Sequence, residues 1–255
     1  MSFVHSKDEL LERKKHFAKG YVLGDATMVI AVFRTKEDVI RKVLPPPLEP
    51  GPIPTGTAYV AEFHRTNFGV TYNEAALFLS AQYKGFTGNY CLAMPVTNDI
   101  AMIGGREVYG FPKKIADEIH VKRKGDIATG VCIRRGIQII ELKVDIVEHY
   151  GDSMEPTPNF VFKAFPSLEN PGIEGKVRLV KQINDIDWGP VETGEGEIKL
   201  VESKYDPLYE IPIEEVLAAF YTEGTEIRMN FGEVLTEVSA EEYEPYFFIK
   251  SDWDF

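Results

Sequence analysis

Cysteine is scarce in this chain: only Cys91 and Cys132 occur among its 255 residues. Two cysteines cannot staple a disulfide scaffold, and neither stands at metal-ligand spacing from a partner. Both are expected as buried, reduced thiols. The five histidines, His5, His16, His64, His120 and His149, show no His-x-x-x-His or Cys-His spacing, so neither a metal nor a cofactor is expected. His64 is read as a structural histidine, with a cavity-facing role as the alternative. Positive charge is also short: 28 Lys and Arg against 40 Asp and Glu give a formal charge of −12. Nucleic-acid affinity comes largely from cations that neutralise phosphates, so nucleic acid is not expected as a partner. The same deficit gives an anionic substrate no global attraction, and local cations or amide dipoles must hold it.

Long apolar runs are missing as well. No stretch approaches the roughly 18 apolar residues of a membrane span. Residues 1–19 carry Lys7, Asp8, Glu9, Glu12, Arg13, Lys14 and Lys15 and lack the apolar run of a signal peptide. A cytoplasmic protein without a membrane partner is expected. With 44% hydrophobic and 27% charged residues, the composition is ordinarily globular. A single domain over residues 1–255 suits this length.

What is present is mostly strand. Residues 7–19 predict a peripheral helix within residues 1–20, with Leu10, Leu11 and Phe17 as docking residues. Residues 26–33 (ATMVIAVF) predict a strand, and Thr35 offers an N-cap to a short helix through Val43 that Pro45, Pro46 and Pro47 end. A stiff Pro- and Gly-rich loop follows to Pro54. Further strands are expected over 58–63, 72–83, 90–96, 137–147, 159–163, 177–183, 196–201 and 225–234. Alternation in 137–147 sends Ile140, Leu142, Val144 and Ile146 to one face, so one side of that sheet meets a core. Residues 213–221 read as the clearest late helix. Gly194-Glu195-Gly196 reads as a turn without the context of a dinucleotide loop. This density of strands predicts an α+β, β-rich fold, a curved antiparallel sheet or closed β-barrel with flanking helices. The acidic and aromatic tail, residues 239–255, includes Tyr243, Tyr246, Phe247, Phe248, Trp253 and Phe255, and is expected to dock on the domain or on a neighbouring subunit.

The informative stretch is 105–114, GREVYGFPKK. Paired lysines are ordinarily solvated surface, and Lys14-Lys15 is read that way. Lys113-Lys114 differs because it follows an apolar run closed by Pro112, which fixes the backbone and aims the next side chain. A lysine amine attacks a carbonyl only when neutral, and an unperturbed lysine at pH 7 is protonated. Burial among Val108, Tyr109 and Phe111, with a second cation at Lys114, would disfavour the charged form.

This segment resembles the acetoacetate decarboxylase family's Gly-Arg-Glu, aromatic, Pro and Lys-Lys pattern. The resemblance implies that Lys113 forms a Schiff base and that Lys114 is its electrostatic neighbour. Acetoacetate decarboxylase is itself the usual example of an amine activated in this way. Tyr72-Asn73-Glu74 is similar to the family's Tyr-x-Glu strand motif, which makes Glu74 the active-site carboxylate. FRTKEDVIRKVLPPPLE, Pro158-Asn159-Phe160 and Pro212-Ile213-Glu214-Glu215-Val216 also find counterparts, so the likeness covers about residues 21–238. It further implies a homo-oligomer, and a pocket lined by Met94 and Phe111, for which ordinary core packing is the alternative. Two positions depart from the pattern. Ala26 stands where the family has an arginine, and Tyr59 where it has a second glutamate, with Glu62 nearby only if the register shifts. Arg106 is a candidate for the missing positive charge in substrate binding, with an ion pair to Glu74 or Glu107 as the structural alternative.

The function implied is that of a Schiff-base lyase that decarboxylates a β-keto acid through an iminium and enamine on Lys113. The partner expected is a small keto acid or ketone. A Schiff-base aldolase, dehydratase or hydratase acting on a larger keto acid is the first alternative. A non-catalytic small-molecule-binding barrel that retains Lys113 is the second.

Overall fold

The computed structural model describes residues 3–150 and 156–250. The chain opens with α1 (Lys7–His16), where the Ser6 hydroxyl accepts from the Glu9 amide and the Glu9 carboxylate accepts from the Ser6 amide. This reciprocal box satisfies two donors that a helix start leaves unpaired. The helix is peripheral, as its charge predicts, and buries none of its residues. Leu10 and Leu11 stay exposed; docking falls to Phe17, half-buried just beyond the helix.

There follow β1 (Tyr21–Arg34), α2 (Glu37–Val43), β2 (Glu49–Pro50), β3 (Thr55–Thr66), β4 (Tyr72–Tyr83) and β5 (Phe86–Val96). Next come α3 (Asp99–Gly104), a π-helical turn (Gly105–Tyr109), β6 (Lys113–Ile115), β7 (Glu118–Lys124), β8 (Ile127–Arg134) and β9 (Ile137–Tyr150). The chain ends with β10 (Asn159–Pro166), β11 (Ile173–Gln182), β12 (Asn184–Asp187), β13 (Val191–Leu200), β14 (Glu215–Met229), β15 (Glu233–Val238) and α4 (Ala240–Phe247). None of these helices is long and apolar enough to cross a membrane.

The strands form one sheet in the order β15-β11-β10-β5-β4-β3-β1-β14-β13-β9-β8-β7, with β12 on β14, β2 on β4 and β6 on β5. Pairing is antiparallel except where β10 and β6 run parallel to β5. The sheet curves but does not close, which corrects the barrel alternative. Its β7 end folds back over β3 and β4 through side chains and not through a ladder. The Asn73 amide donates to the Ile119 carbonyl at 2.6 Å, and the Val121 amide donates to Glu62 at 3.1 Å. Register shifts in the β1–β14, β9–β13 and β8–β9 pairs supply the bulges that bend strands. Inside the curve lie Phe33, Leu77, Leu79, Phe160 and Tyr221, with Ile140, Leu142 and Val144 from the expected face of β9.

Three sequence expectations need correction. Residues 213–221 hold no helix; most of them begin β14, which pairs with β1 on one side and β13 on the other. Two flanking ladders satisfy the backbone there, and tertiary pairing overrides the helix preference of Glu, Leu and Ala. Gly194 and Gly196 lie within β13, not in a turn. A Cβ on Gly194 would sit 1.8 Å from the Asp145 carbonyl oxygen, so glycine serves close strand approach. Thr35 does not cap α2: its hydroxyl is buried without a hydrogen-bond partner among the described residues, and Lys36 holds the cap position. The tail docks as expected, since Tyr243 and Phe247 are buried and the Tyr243 ring stacks on Phe162 at 4.7 Å. The Phe248 side chain, Trp253 and Phe255 lie outside the described residues.

Candidate active site

The site forms where β4, β5 and β6 run side by side. Glu74 of β4 pairs in register with Val96 of β5, and β6 lies parallel to β5 with Met94 opposite Lys113 and Pro95 opposite Lys114. The π-helical turn and Gly110 deliver the chain into β6. Gly110 has φ 96°, a left-handed conformation, and its amide donates to the Gly105 carbonyl at 3.0 Å. A side chain there would also meet the Phe162 backbone, which explains the glycine. Gly105 has a different reason. A Cβ on it would lie 2.5 Å from Cδ and Cε of Lys113, so the bare backbone makes room for the lysine stem.

Lys113 Nζ donates to Glu74 Oε2 at 2.5 Å, and the two side chains are 3% and 4% exposed. The Tyr72 ring lies beneath the ammonium at 5.1 Å, a cation–π contact. Two phenols complete the shell of Glu74: Tyr59 donates to Oε1, and Tyr72 donates to Oε2 at 3.4 Å. Burial, and then the Glu74 charge, hold both phenols well above their ordinary pKa, so they remain protonated donors. Burial likewise pushes the Cys91 thiol up, with Glu74 adding to the shift. Cys91 and Cys132 are both free and buried.

Two cavities meet at this pair. An inner one of about 260 Å³ is lined by Glu74 and Tyr59 with Met28, Ile30, Phe78, Met94, Phe111 and Trp188. An outer one of about 430 Å³ is lined by Lys113 and Tyr72 with Arg13, Phe17, Ile103 and Tyr109. Leu23 and Met229 line both. The site thus holds a buried amine with a carboxylate beside it and mostly apolar space on either side.

A family model for acetoacetate decarboxylase (ADC) matches residues 11–239. The chain belongs to the acetoacetate decarboxylase family. One relative, named acetoacetate decarboxylase, from Paraburkholderia phytofirmans strain PsJN, is 30% identical over 213 residues, covering 81% of this chain and 82% of its own. A solved structure of acetoacetate decarboxylase superposes with a TM-score of 0.79 at 21% identity, covering 91% of this chain and 99% of that one. The enduracididine biosynthesis enzyme MppR, complexed with the condensation product of pyruvate and imidazole 4-carboxaldehyde, superposes with a TM-score of 0.73 at 21% identity, covering 85% and 89%. At these identities the solved structures establish the shared fold.

Within this family fold the residues singled out from sequence divide into two groups. Lys113, Glu74, Met94 and Phe111 come together around the inner cavity and its mouth. Lys114 does not join them, because successive side chains of a strand point to opposite faces; Arg106, on the π-helical turn, does not join them either. Lys114 Nζ pairs with Asp206 at 2.6 Å and donates to the Tyr205 carbonyl at 3.0 Å, and Arg134 engages the same Asp206 at 2.7 Å. Arg106 makes neither expected ion pair: it donates to the carbonyls of Lys250 at 3.1 Å and Lys113 at 3.4 Å, holding backbone. Both line a separate cavity of about 340 Å³ with Arg134, Arg135 and Lys250.

Of the departures, Ala26 is fully buried in the apolar cluster with Met28 and Ile30, and Tyr59 supplies a phenol on Glu74 in place of a second carboxylate. Glu62 serves structure, accepting from the Val121 amide and the Asn73 side chain. His64 is exposed beside the Thr27 hydroxyl. Sequence reasoning missed Tyr59 and Tyr72 as donors to Glu74. The Tyr72 signal was in hand, since residues i and i+2 of a strand share a face. Tyr59 needed the β3–β4 register, which the sequence alone leaves open.

Proposed function

We propose that this chain is a Schiff-base lyase that decarboxylates a β-keto acid on Lys113. The observation that supports this reading most directly is the buried 2.5 Å contact between Lys113 and Glu74. Glu74 accepts a proton from the ammonium, and the freed amine attacks the ketone carbon. The carbinolamine loses water to give an iminium. The bond from the α-carbon to the carboxylate then breaks, its electron pair moves into the enamine, and carbon dioxide departs. Protonation at carbon restores an iminium, and water releases the ketone product and the free amine. Glu74, held by Tyr59 and Tyr72, is the local group for these proton transfers.

Borohydride reduction in the presence of acetoacetate, followed by peptide mass spectrometry of the full chain, tests the reading. An adduct on Lys113 with carbon dioxide release is the expected result. An adduct confined to other lysines, or none, overturns it.

Ala26 favours a second reading, because without a cation on β1 nothing there selects a small acid. The same iminium would then add to an aldehyde or eliminate water on a larger keto acid. MppR, whose solved structure holds a condensation product, supports the chemical feasibility on this fold. Condensation of pyruvate with an aldehyde, without carbon dioxide release from any β-keto acid, decides for it.

A further inference from the structure

The two cavities at Lys113 differ in charge. Among the described residues, the inner cavity is lined by no lysine or arginine and by one carboxylate, Glu74. The outer cavity is lined by no carboxylate and by two cations, Lys113 and Arg13. Arg13 comes from α1, lies over the Phe17 ring at 5.6 Å, and makes no ion pair among the described residues. Phe17 in turn packs on Tyr21 at 5.0 Å, and His16 contacts the Asn67 carbonyl at 2.7 Å, so the end of α1 that carries Arg13 is tied to the rim. On β1, Ala26, Met28, Ile30 and Val32 alternate onto one face. That face therefore meets the inner cavity with apolar groups.

A substrate carboxylate placed inward would meet Glu74 and no cation. Placed outward, it meets Arg13, whose planar fork suits a carboxylate. The inner volume of about 260 Å³ is many times the roughly 30 Å³ of one water, and so exceeds what a methyl ketone terminus fills. We propose that the substrate spans both cavities, with its carboxylate toward Arg13 and an apolar chain of several carbons in the inner cavity. The preferred substrate is then a medium-chain 3-oxo acid. This rests on the Schiff-base reading and names its substrate class.

The test measures kcat/KM of the full chain for carbon dioxide release from 3-oxobutanoate, 3-oxohexanoate and 3-oxooctanoate. Values are expected to rise about fourfold per methylene, the equivalent of about 0.8 kcal/mol per buried CH₂. A flat or falling series overturns the proposal. Ile30→Phe, which fills the inner cavity, is expected to lower the ratio of longest to shortest substrate; an unchanged ratio counts against the assigned cavity. Arg13 is exposed, so Arg13→Gln should fold normally. It is expected to raise KM for the acids about tenfold and to affect borohydride fixation of 2-heptanone, which has the chain of 3-oxooctanoate but no carboxylate, much less. Equal effects on both overturn the role of Arg13. Absence of any ketone adduct on Lys113 overturns the Schiff-base reading and this proposal together, whereas an adduct with no chain preference overturns the proposal alone.

Discussion

Lys113 and Lys114 are the same residue type, adjacent in sequence, both buried and each in contact with a carboxylate. Their surroundings nevertheless differ in kind. Glu74 meets Lys113 at the junction of two cavities, with phenols as its other partners, so the pair faces space that a substrate can enter. Asp206 meets Lys114 and also holds Arg134, and the Tyr205 carbonyl takes a further Lys114 proton, so that amine is tied into structure. Pleating alone separates the two fates, because a one-residue step in β6 is a change of face. Lys114 also borders a cavity, of about 340 Å³, so open volume does not separate the two; what does is that its carboxylate is shared with Arg134 and its amine with a backbone carbonyl.

The sharpest way to break this comparison is to remove each amine in turn. Lys113→Met should abolish the borohydride adduct and product formation. It should also cost about 3–5 kcal/mol of stability, since Glu74 is left buried without its cation. Lys113→Arg keeps a charge near Glu74, so activity should vanish with much less destabilisation. Lys114→Met leaves Asp206 with Arg134, so a loss of about 1–3 kcal/mol is expected, with the adduct still forming on Lys113. Adduct yields and melting curves on the three variants decide the matter. Complete loss of adduct in Lys114→Met with the fold intact would mean that the second lysine acts on the first across the strand.

Next in size is Gly105→Ala. The added methyl falls 2.5 Å from Cδ and Cε of Lys113 and must displace the stem or the π-helical turn. Overpacking of this kind costs about 1–3 kcal/mol. Because the displaced atoms carry the amine, kcat should fall by about 10²-fold, the scale on which misplacement of about 1 Å acts. Gly104→Ala is the matched control, since a Cβ there meets nothing within 4 Å. Similar kcat values for the two variants would show that Lys113 tolerates repositioning.

Much of this site was legible because its two decisive residues each sit in a short, self-contained motif. GREVYGFPKK and Tyr72-Asn73-Glu74 needed only local pattern, although 39 positions separate Lys113 from Glu74. The partner of Lys114 was not legible, because Asp206 stands in a loop with no local signal and reaches β6 only in the folded sheet. Nor were the contacts of Arg106, because its acceptors are backbone carbonyls and any residue supplies those. In the fold, the alternating pattern of β9 was readable since one face is buried. Residues 213–221 were not, because their helix-forming composition yields to two ladders formed by distant strands.

A smaller effect is expected from Tyr59→Phe, which sharpens what distinguishes Glu74 from Asp206. Removing one donor from a buried carboxylate forfeits a hydrogen bond worth about 1.5–3 kcal/mol, part of it in stability and part in catalysis. A fall in kcat of about tenfold, about 1.4 kcal/mol, is the expected catalytic share. Burial and Glu74 hold the phenol well above its ordinary pKa, so the wild-type to variant ratio should be constant from pH 6 to 9. A ratio that changes across that range would mean that Tyr59 titrates during turnover and does not simply hold Glu74.

The smallest effect concerns a third buried lysine, which extends the comparison to an amine bonded to carbonyls alone. Lys250 Nζ donates to Phe162 O at 2.9 Å and Gly110 O at 3.1 Å, pinning the turn that leads into β6. Burial, and then the Arg106 charge, push its pKa down to about 7 from an ordinary value of 10.5. Between those values the unfolded chain binds this proton and the folded chain does not, so stability from this group rises with pH from about 7 to about 10.5 and is flat below about 7. Melting temperatures of wild type and Lys250→Met from pH 6.5 to 8 isolate that contribution, since only about one pH unit of that range lies above the folded value. The wild type should gain about 2–4 °C on the variant, the shift that roughly 1 kcal/mol produces in a chain of this size. Parallel curves would mean that Lys250 titrates alike in both states, and that two carbonyls can hold a buried ammonium without the carboxylate its two counterparts use.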